Sequence, residues 1–256
     1  MTRDEEANLP RCLRSLEGLG FRVIVLDSHS TDRTREIAAE WGAEVVEEDW
    51  RGYTGQRERV LELAHDEWTL CLDADEWLDE ELRQAVLARV EAGPEPGVEG
   101  YELNRRTRYL GGWIDHCGWT PEWRLRLLRG GTGSIIGSDP HDRIVVQGGV
   151  GQLAGRLNHR PYDTIAAHLA KVNRYTDERA AVRHAKGKDA SFVQLLAHPL
   201  GRFLRMYVFR AGFLDGWRGF VVSAIGSFYV FLKYAKLRDL ARRGRAEGGD
   251  GGDSGG

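Results

Sequence analysis

Two apolar runs stop on an aspartate. Residues 21–27 read FRVIVLD and residues 68–73 read WTLCLD. A run without polar alternation is the pattern of a strand covered on both faces, because a strand with one wet face alternates with period two. Each run is followed by a polar turn and then by helical spacing: Ile37, Ala38 and Trp41 with Gly42 as a C-cap after the first, DEELRQAVLARVEAG after the second. Between them lie a short strand, AEVVEE, and a helix, TGQRERVLELAHD, with Val60, Leu61 and Ala64 on one face. Strands alternating with helices build βαβ units, whose right-handed crossovers bury the sheet between helix layers. The predicted fold class is α/β, with a mostly parallel sheet flanked by helices. Ligands bind such sheets beyond the carboxyl ends of the strands, where Asp27 and Asp73 stand.

The rest of the chain bounds this picture. MTRDEEANLPRCLRSLEGLG opens it, with Asn8 and Pro10 marking a helix start and Gly18 or Gly20 a stop. A doubly wound sheet begins with a buried central strand. Here the turn and helix that should follow it come first, so a first strand is expected to be missing from the sequence as written. GPEPG (93–97) is a loop. Beyond residue 98, GYELNRRTRYLGG and HDRIVVQGGVGQLAGRLNH read as strands with glycine turns, and from Thr164 onward the chain reads as helix. The expected division is a sheet domain over 1–160, a helical membrane-proximal region over 161–243 and a disordered Gly-rich tail over 244–256.

Net charge is only −3, yet residues 1–100 hold 25 acids against 11 Lys and Arg, and residues 198–245 hold 2 acids against 10. The basic end suits phosphates or an anionic membrane surface. Its cations are interleaved with apolar residues and the rest of the chain is acidic, which argues against nucleic acid. Cys12, Cys71 and Cys117 are widely spaced, so neither a disulfide framework nor a zinc site is indicated, and a reducing compartment fits. No leader segment is visible. The longest uncharged stretch, Gly219–Leu232, has 14 positions, short of the ~20 that span a bilayer.

Asp73, Asp75 and Glu76 crowd three carboxylates into four residues and need a positive partner. Strand alternation would turn Asp73 and Asp75 to one side. Two hard oxygen donors side by side suit Mg²⁺ or Mn²⁺, and such an ion would offset the repulsion, bridge the diphosphate of a nucleotide donor and act as a Lewis acid on it. The alternative is that Asp75 and Glu76 only cap the helix beginning near Asp79. Asp27-Ser28-His29-Ser30-Thr31-Asp32 is a second polar turn. There Ser30 or Thr31 would cap the following helix and leave Asp27 free to accept from a base N–H or a ribose hydroxyl.

TRDEEANLPRCLRSL, VIVLDSHSTDRTREIAAEWGAEV and WTLCLDADEWL, in this order over residues 2–90, resemble the donor-binding half of family 2 glycosyltransferases of the GT-A fold. In that family a strand ending in TKNEE precedes the first helix, and TRDEE stands in its place here. The resemblance implies a Rossmann-like sheet with Asp27 on the uracil or ribose of a UDP-sugar. It implies that Asp73 and Asp75 handle a divalent metal, Mg or Mn, and the diphosphate, with Thr2, Asp4 and Glu5 near the nucleoside. Ser28, Gln56, Arg57 and Ala74 complete the expected nucleotide-sugar site. GGWIDHCGWTPEWRLRLLRGG, PHDRI and GFLDGWRGFVVSAIGSFYVFLKYAKL further resemble bacterial lipopolysaccharide-core β-glucosyltransferases, which carry GWYPD…RLF, VHE and GFLDG at matching spacings. PEW replaces PD here, and His141-Asp142 replaces His-Glu. The implied activity is inverting transfer of a hexose, glucose from UDP-glucose, to a lipopolysaccharide-core or other lipid-linked saccharide. The implied place is the cytoplasm, peripheral to the inner face of the cytoplasmic membrane. Transfer to a polyprenyl phosphate or capsule precursor is the alternative, and a nucleotide-sugar-binding scaffold without activity is the non-enzymatic one.

Inverting transfer needs a carboxylate to take the acceptor's proton opposite the leaving group. Asp142 is the first candidate, Glu122 the second and Asp115 a distant third; His141 would be a further metal ligand or an orienting group. Tyr109, Trp113, Trp119 and Trp123 lie near these acids in sequence and can pack on a sugar or simply in the core. Arg124 and Arg126 alternate with Leu125 and Leu127, as in a strand with one charged face, solvated or set against phosphate. Phe203, Tyr207, Phe209, Phe213 and the run from Phe220 to Leu232, flanked by Arg and Lys, read as a helix lying in a membrane interface. A buried helical hairpin or a dimer contact is the alternative reading of the same pattern. Asp215 is expected to pair with Arg210 or Arg218, or to cap a helix.

Overall fold

In the computed structural model, which describes residues 1–64, 66–137 and 142–249, the chain forms two compact units, residues 1–107 with 121–161 and residues 108–120 with 162 onward. The elements run α1 (Leu9–Arg14), β1 (Ile24–Asp27), α2 (Thr34–Glu40), β2 (Glu44–Glu47), α3 (Gly52–Leu63), β3 (Trp68–Leu70), β4 (Glu76–Leu78) and α4 (Glu80–Ala92). The strands β5 (Val98–Tyr109), β6 (Gly112–Ile114), β7 (Glu122–Arg129), β8 (Ser134–Ile136), β9 (Arg143–Val145), β10 (Gly149–Gln152) and β11 (Leu157–His159) follow. The chain then turns helical in α5 (Ile165–Ala185), α6 (Phe192–Leu204) and α7 (Gly216–Gly249).

The α/β class is as expected, but the sheet is mixed in sense. β1 and β2 pair in parallel. The larger sheet has the order β3-β7-β5-β11-β4, with β10 also on β5. In it β11 and β10 run parallel to β5, whereas β7 is antiparallel to both β3 and β5, and β4 to β11. Thr2 forms a parallel bridge to Asp27: its N–H donates to Leu26 O (2.8 Å) and its carbonyl accepts from Ser28 N–H (3.0 Å). The carbonyl of Asp27 instead accepts from Glu48 N–H, so Thr2 and β2 lie on opposite edges of β1.

WTLCLDADEW does not run as one strand. β3 stops at Leu70, and Glu76 N–H donates to the carbonyl of Asp73 (3.0 Å), closing a turn before β4. Ala74 anchors that turn by packing with Leu9, Leu13, Val25 and Ala38 in a small core. The larger core of this unit joins Leu82 and Val86 of α4 to Tyr101, Leu103, Leu127 and Leu157 of the sheet. Burying each such side chain contributes about 1.5–3 kcal/mol. Asp79, not Asp75 or Glu76, caps α4: its Oδ1 accepts from Leu82 N–H (2.8 Å) and from Arg156 N–H (3.0 Å). Gly155 makes this join possible. Its φ is +92°, and a Cβ there would meet Leu82 N at 2.2 Å. The result is that β11 is delivered alongside β4, with His159 opposite Glu76.

In the other unit Thr164 caps α5 by accepting from Ala167 N–H (3.0 Å), and His168, Val172, Thr176 and Ala180 form its buried stripe at every fourth residue. Tyr109 and Trp119 pack edge to face in this core, with Tyr109 Oη 2.9 Å from His168 Nδ1. Tyr109 is fully buried in this core, and Trp119 packs against it partly buried. The GFLDG segment is tied to the 115–117 loop. Asp215 accepts from the N–H groups of Asp115 (3.1 Å) and His116 (3.0 Å) and faces His116 Nδ1 (2.8 Å), not Arg210 or Arg218. Gly219 is required there, since a Cβ would lie 1.9 Å from Gly212 O. α7 continues to Gly249, into the segment expected to be a tail.

Burial, with Lys171 nearby, holds the His168 imidazole down to about 4. A histidine neutral when folded but ordinary when unfolded costs stability as pH falls from about 6.5 towards 4, because only the unfolded chain takes up the proton there. Between pH 7 and pH 5 the protein is expected to lose about 1 kcal/mol from this group, after allowance for solvent screening. Thermal denaturation across that range checks it. An unchanged slope in His168→Gln would assign the titration to another group.

Candidate active site

The N-terminal segment and the turn after β1 are knitted together by their own acids. Asp27 is fully buried, and its carboxylate accepts from Thr2 Oγ1 (2.8 Å) and Ser30 N–H (2.8 Å). It is therefore taken up in positioning the two segments rather than left free. Asp4 Oδ1 accepts from Thr31 N–H (2.7 Å), and Ser30 Oγ in turn accepts from Asp4 N–H (2.9 Å). Glu5 N–H donates to Thr34 Oγ1 (2.7 Å). Asp32, not Ser30 or Thr31, receives Thr34 N–H at the start of α2 (2.9 Å). Gln56, the one buried residue of α3, reaches Ser28 Oγ through its Nε2. Ser28, itself buried, is thereby fixed from behind.

Beyond this knot lies a ladder of alternating charge. Asp142 Oδ2 meets Arg57 Nη1 at 2.7 Å, and Arg57 Nη2 lies 3.7 Å from Asp73. Arg126 Nη2 then holds both Asp73 Oδ2 (2.7 Å) and Glu76 Oε1 (2.7 Å). Glu76 also meets Arg105 (3.3 Å), Arg105 meets Glu122 (2.7 Å), and Arg124 closes on the other oxygen of Glu122. Four guanidiniums thus match four carboxylates. Asp73 and Glu76 thus find positive partners in arginines from other elements, and Arg126, expected to be solvated or set against phosphate, is buried between acids. Burial alone would raise the Asp73 carboxyl, but Arg126 and Arg57 carry it well below the usual carboxylate range. Burial would likewise raise Glu122, and Arg105 and Arg124 reverse it to a net lowering.

Asp75 takes a different direction from Asp73, because the two sit on a turn and not on a strand. Its Oδ2 lies 3.3 Å from His159 Nε2, with both side chains partly exposed. Burial pushes the Glu5 carboxyl up against its hydrogen bond from Asn8, and the charges of Asp75 and Asp32 add to the rise. Asp75 thus stands near the Glu5 carboxyl, with an imidazole beside it. Oxygen and nitrogen donors of this kind fit a divalent cation that takes its remaining ligands from a diphosphate and water. Among the described residues no group of three His, Cys, Asp or Glu side chains converges on a metal position. His159 and Arg105 were not among the residues expected from the sequence, and Glu76 was expected only as part of the acidic cluster or as a helix cap. Only the pairing of β11 with β4 and with β5 brings them here.

Of the base candidates, Asp142 is the more enclosed, its side chain 1% exposed. One oxygen is held by Arg57, and Oδ1 has no hydrogen-bond partner among the described residues. Glu122 is more open but gripped on both oxygens by Arg105 and Arg124. Asp115 belongs to the other unit. His141 lies outside the described residues.

Known proteins match the chain along most of its length. The sequence model of glycosyl transferase family 2 matches residues 1–131. The lipopolysaccharide core biosynthesis glycosyltransferase LpsC of Rhizobium meliloti (strain 1021) is 34% identical over 246 residues, covering 91% of this chain and 88% of its own. An uncharacterized glycosyltransferase of Rickettsia typhi is 30% identical over 254 residues, covering 96% and 87%. One of Rickettsia prowazekii is 30% identical over 250 residues, covering 94% and 86%. With its α/β sheet, its acid-rich turns at the ends of β1 and β3, and these matches, the chain belongs to glycosyltransferase family 2.

Proposed function

We propose that this glycosyltransferase moves a hexose from a UDP-sugar, glucose in the simplest reading, to a lipopolysaccharide-core or other lipid-linked saccharide with inversion. The observation that carries the reading is that one guanidinium, Arg57, serves both Asp142 and Asp73. The candidate base and the aspartate expected at the donor diphosphate are then within one side chain of each other. The acceptor hydroxyl donates its proton to Asp142 Oδ1 as its oxygen attacks C1 of the sugar. The bond from C1 to the diphosphate breaks, and UDP leaves with the electron pair. Asp27, Asp4 and Ser30 hold the nucleoside end of the site in shape. A divalent cation held by Asp75, with His159 beside it, would neutralise charge developing on the leaving diphosphate. Asp73, already paired with two arginines, orders that end of the site instead. The name of the Rhizobium meliloti relative, a lipopolysaccharide core biosynthesis glycosyltransferase, supports the acceptor class, and a cytoplasmic site at the inner membrane face goes with that reading.

Calorimetric titration with UDP tests this reading, run with Mn²⁺ and with chelator. Binding is expected to weaken at least about tenfold without metal, and to weaken similarly in Asp75→Ala with metal present. Binding indifferent to both metal and Asp75 would remove the cation from the mechanism. No binding of UDP in any condition would remove the donor assignment.

A further inference from the structure

We propose that α6 and the turn following it form a surface that docks on an anionic lipid bilayer without crossing it. Of 20 exposed large apolar side chains among the described residues, 11 lie between residues 192 and 220. α6 buries none of its residues. Phe192, Leu196, Leu200 and Leu204 follow one another at every fourth position and are all exposed, so they form a stripe along one face. The stripe continues past the helix end into Phe209, 80% exposed, and Leu214, 62% exposed. Such a concentration on one short segment marks an interaction surface, whereas single exposed apolar residues do not.

The charges on this segment choose the partner. Arg202, Arg205 and Arg210 are exposed among the apolar residues, and none makes an ion pair among the described residues. Asp215 is the one acid between residues 190 and 238. Its side chain is 4% exposed, withdrawn onto the N–H groups of Asp115 and His116. What remains outside is apolar and purely cationic. That pairing suits the boundary between acyl chains and anionic headgroups. Two copies of this face would set like charge against like.

The surface lies on the bilayer rather than spanning it. By length and composition alone, residues 212–243 could cross a membrane. Yet Val222 packs in one core of this unit, and Tyr234 and Leu237 in another. A helix that gives these residues to its own unit does not present an all-round apolar surface to lipid. The proposal draws on the lipid-linked acceptor only for its purpose, and its test involves no sugar.

The full chain is floated with phosphatidylcholine vesicles and with vesicles containing about 30 mol% phosphatidylglycerol. Binding is expected to be at least tenfold tighter to the anionic vesicles and to weaken about fivefold for each of Arg205→Gln and Arg210→Gln. Phe209→Asp and Leu200→Asp are each expected to weaken it about tenfold. Both sites are exposed, so unchanged circular dichroism and UDP binding should show the variants folded. No binding, or equal binding to neutral and anionic vesicles, overturns the proposal. So does a concentration-dependent dimer that Phe209→Asp abolishes, which would make the face a contact between copies. Protein in native membranes that resists alkaline extraction would make α7 a span and overturn it as well. UDP titration separates these outcomes from failure of the donor reading.

Discussion

Arg126→Ala is expected to destabilise the protein by about 3–5 kcal/mol, the cost of leaving buried acids without their cation. Arg126 is 6% exposed, and its Nη2 alone makes both the 2.7 Å contact to Asp73 and the 2.7 Å contact to Glu76. Glu76 is fully buried and keeps the longer contact to Arg105 and the Asp73 N–H bond (3.2 Å) once Arg126 is gone, neither of which replaces the close cation. Against a typical domain stability of about 5–15 kcal/mol, this is at least about a fifth of the total. Urea unfolding reads it as a lower midpoint at unchanged slope. Arg126→Lys should recover part of the loss, because one nitrogen makes both contacts. Glu76→Gln in the Arg126→Ala background should recover part of it too, because the stranded charge is then removed. A loss below about 1 kcal/mol would mean that Asp73 and Glu76 are hydrated or protonated without cost, contrary to the ladder.

Asp142→Asn is expected to lower kcat by about 10²–10⁴ while changing UDP affinity little. The amide keeps the shape of the carboxylate and an oxygen for Arg57, so the ladder stays in place. What is lost is the capacity of Oδ1 to take a proton, and Oδ1 is the buried acceptor atom without a partner among the described residues. Glu122→Gln is expected to cost less, since Arg105 and Arg124 already hold both Glu122 oxygens and keep its carboxyl low. Steady-state kinetics with a donor-hydrolysis or transfer readout compares the two variants. If Glu122→Gln carries the large loss and Asp142→Asn stays within tenfold of the parent, the base assignment passes to Glu122.

Much of the fold was legible because its signals are local. The last four residues of FRVIVLD fold as β1, the EVVE of AEVVEE as β2 and the segment after Thr164 as α5, since periodicity and caps act over a few residues. Gly42 ends α2 with a φ of +88°, as its position after a helical run demands. WTLCLDADEW misled for the opposite reason. Its composition favours one long strand, but tertiary packing of Ala74 with Leu9 and Val25 breaks it into a turn. Asp27 was read as free because a capping rule sees only its neighbours. Thr2, 25 residues away, takes one of its oxygens.

The acids of the site were visible in the sequence by themselves: carboxylates at the ends of two apolar runs announce themselves wherever they fold. Which cation answers each of them was not visible. Arg57 comes from α3, Arg105 from β5, Arg126 from β7 and His159 from β11; strand register brings the last three, and the packing of α3 brings Arg57, to Asp73, Glu76 and Asp75. A charge pair acts through a few ångströms of space, with no dependence on distance along the chain. The sequence by itself determined where the acids stand along the chain, and the tertiary structure decided their partners, because propensity is local and electrostatic pairing is not.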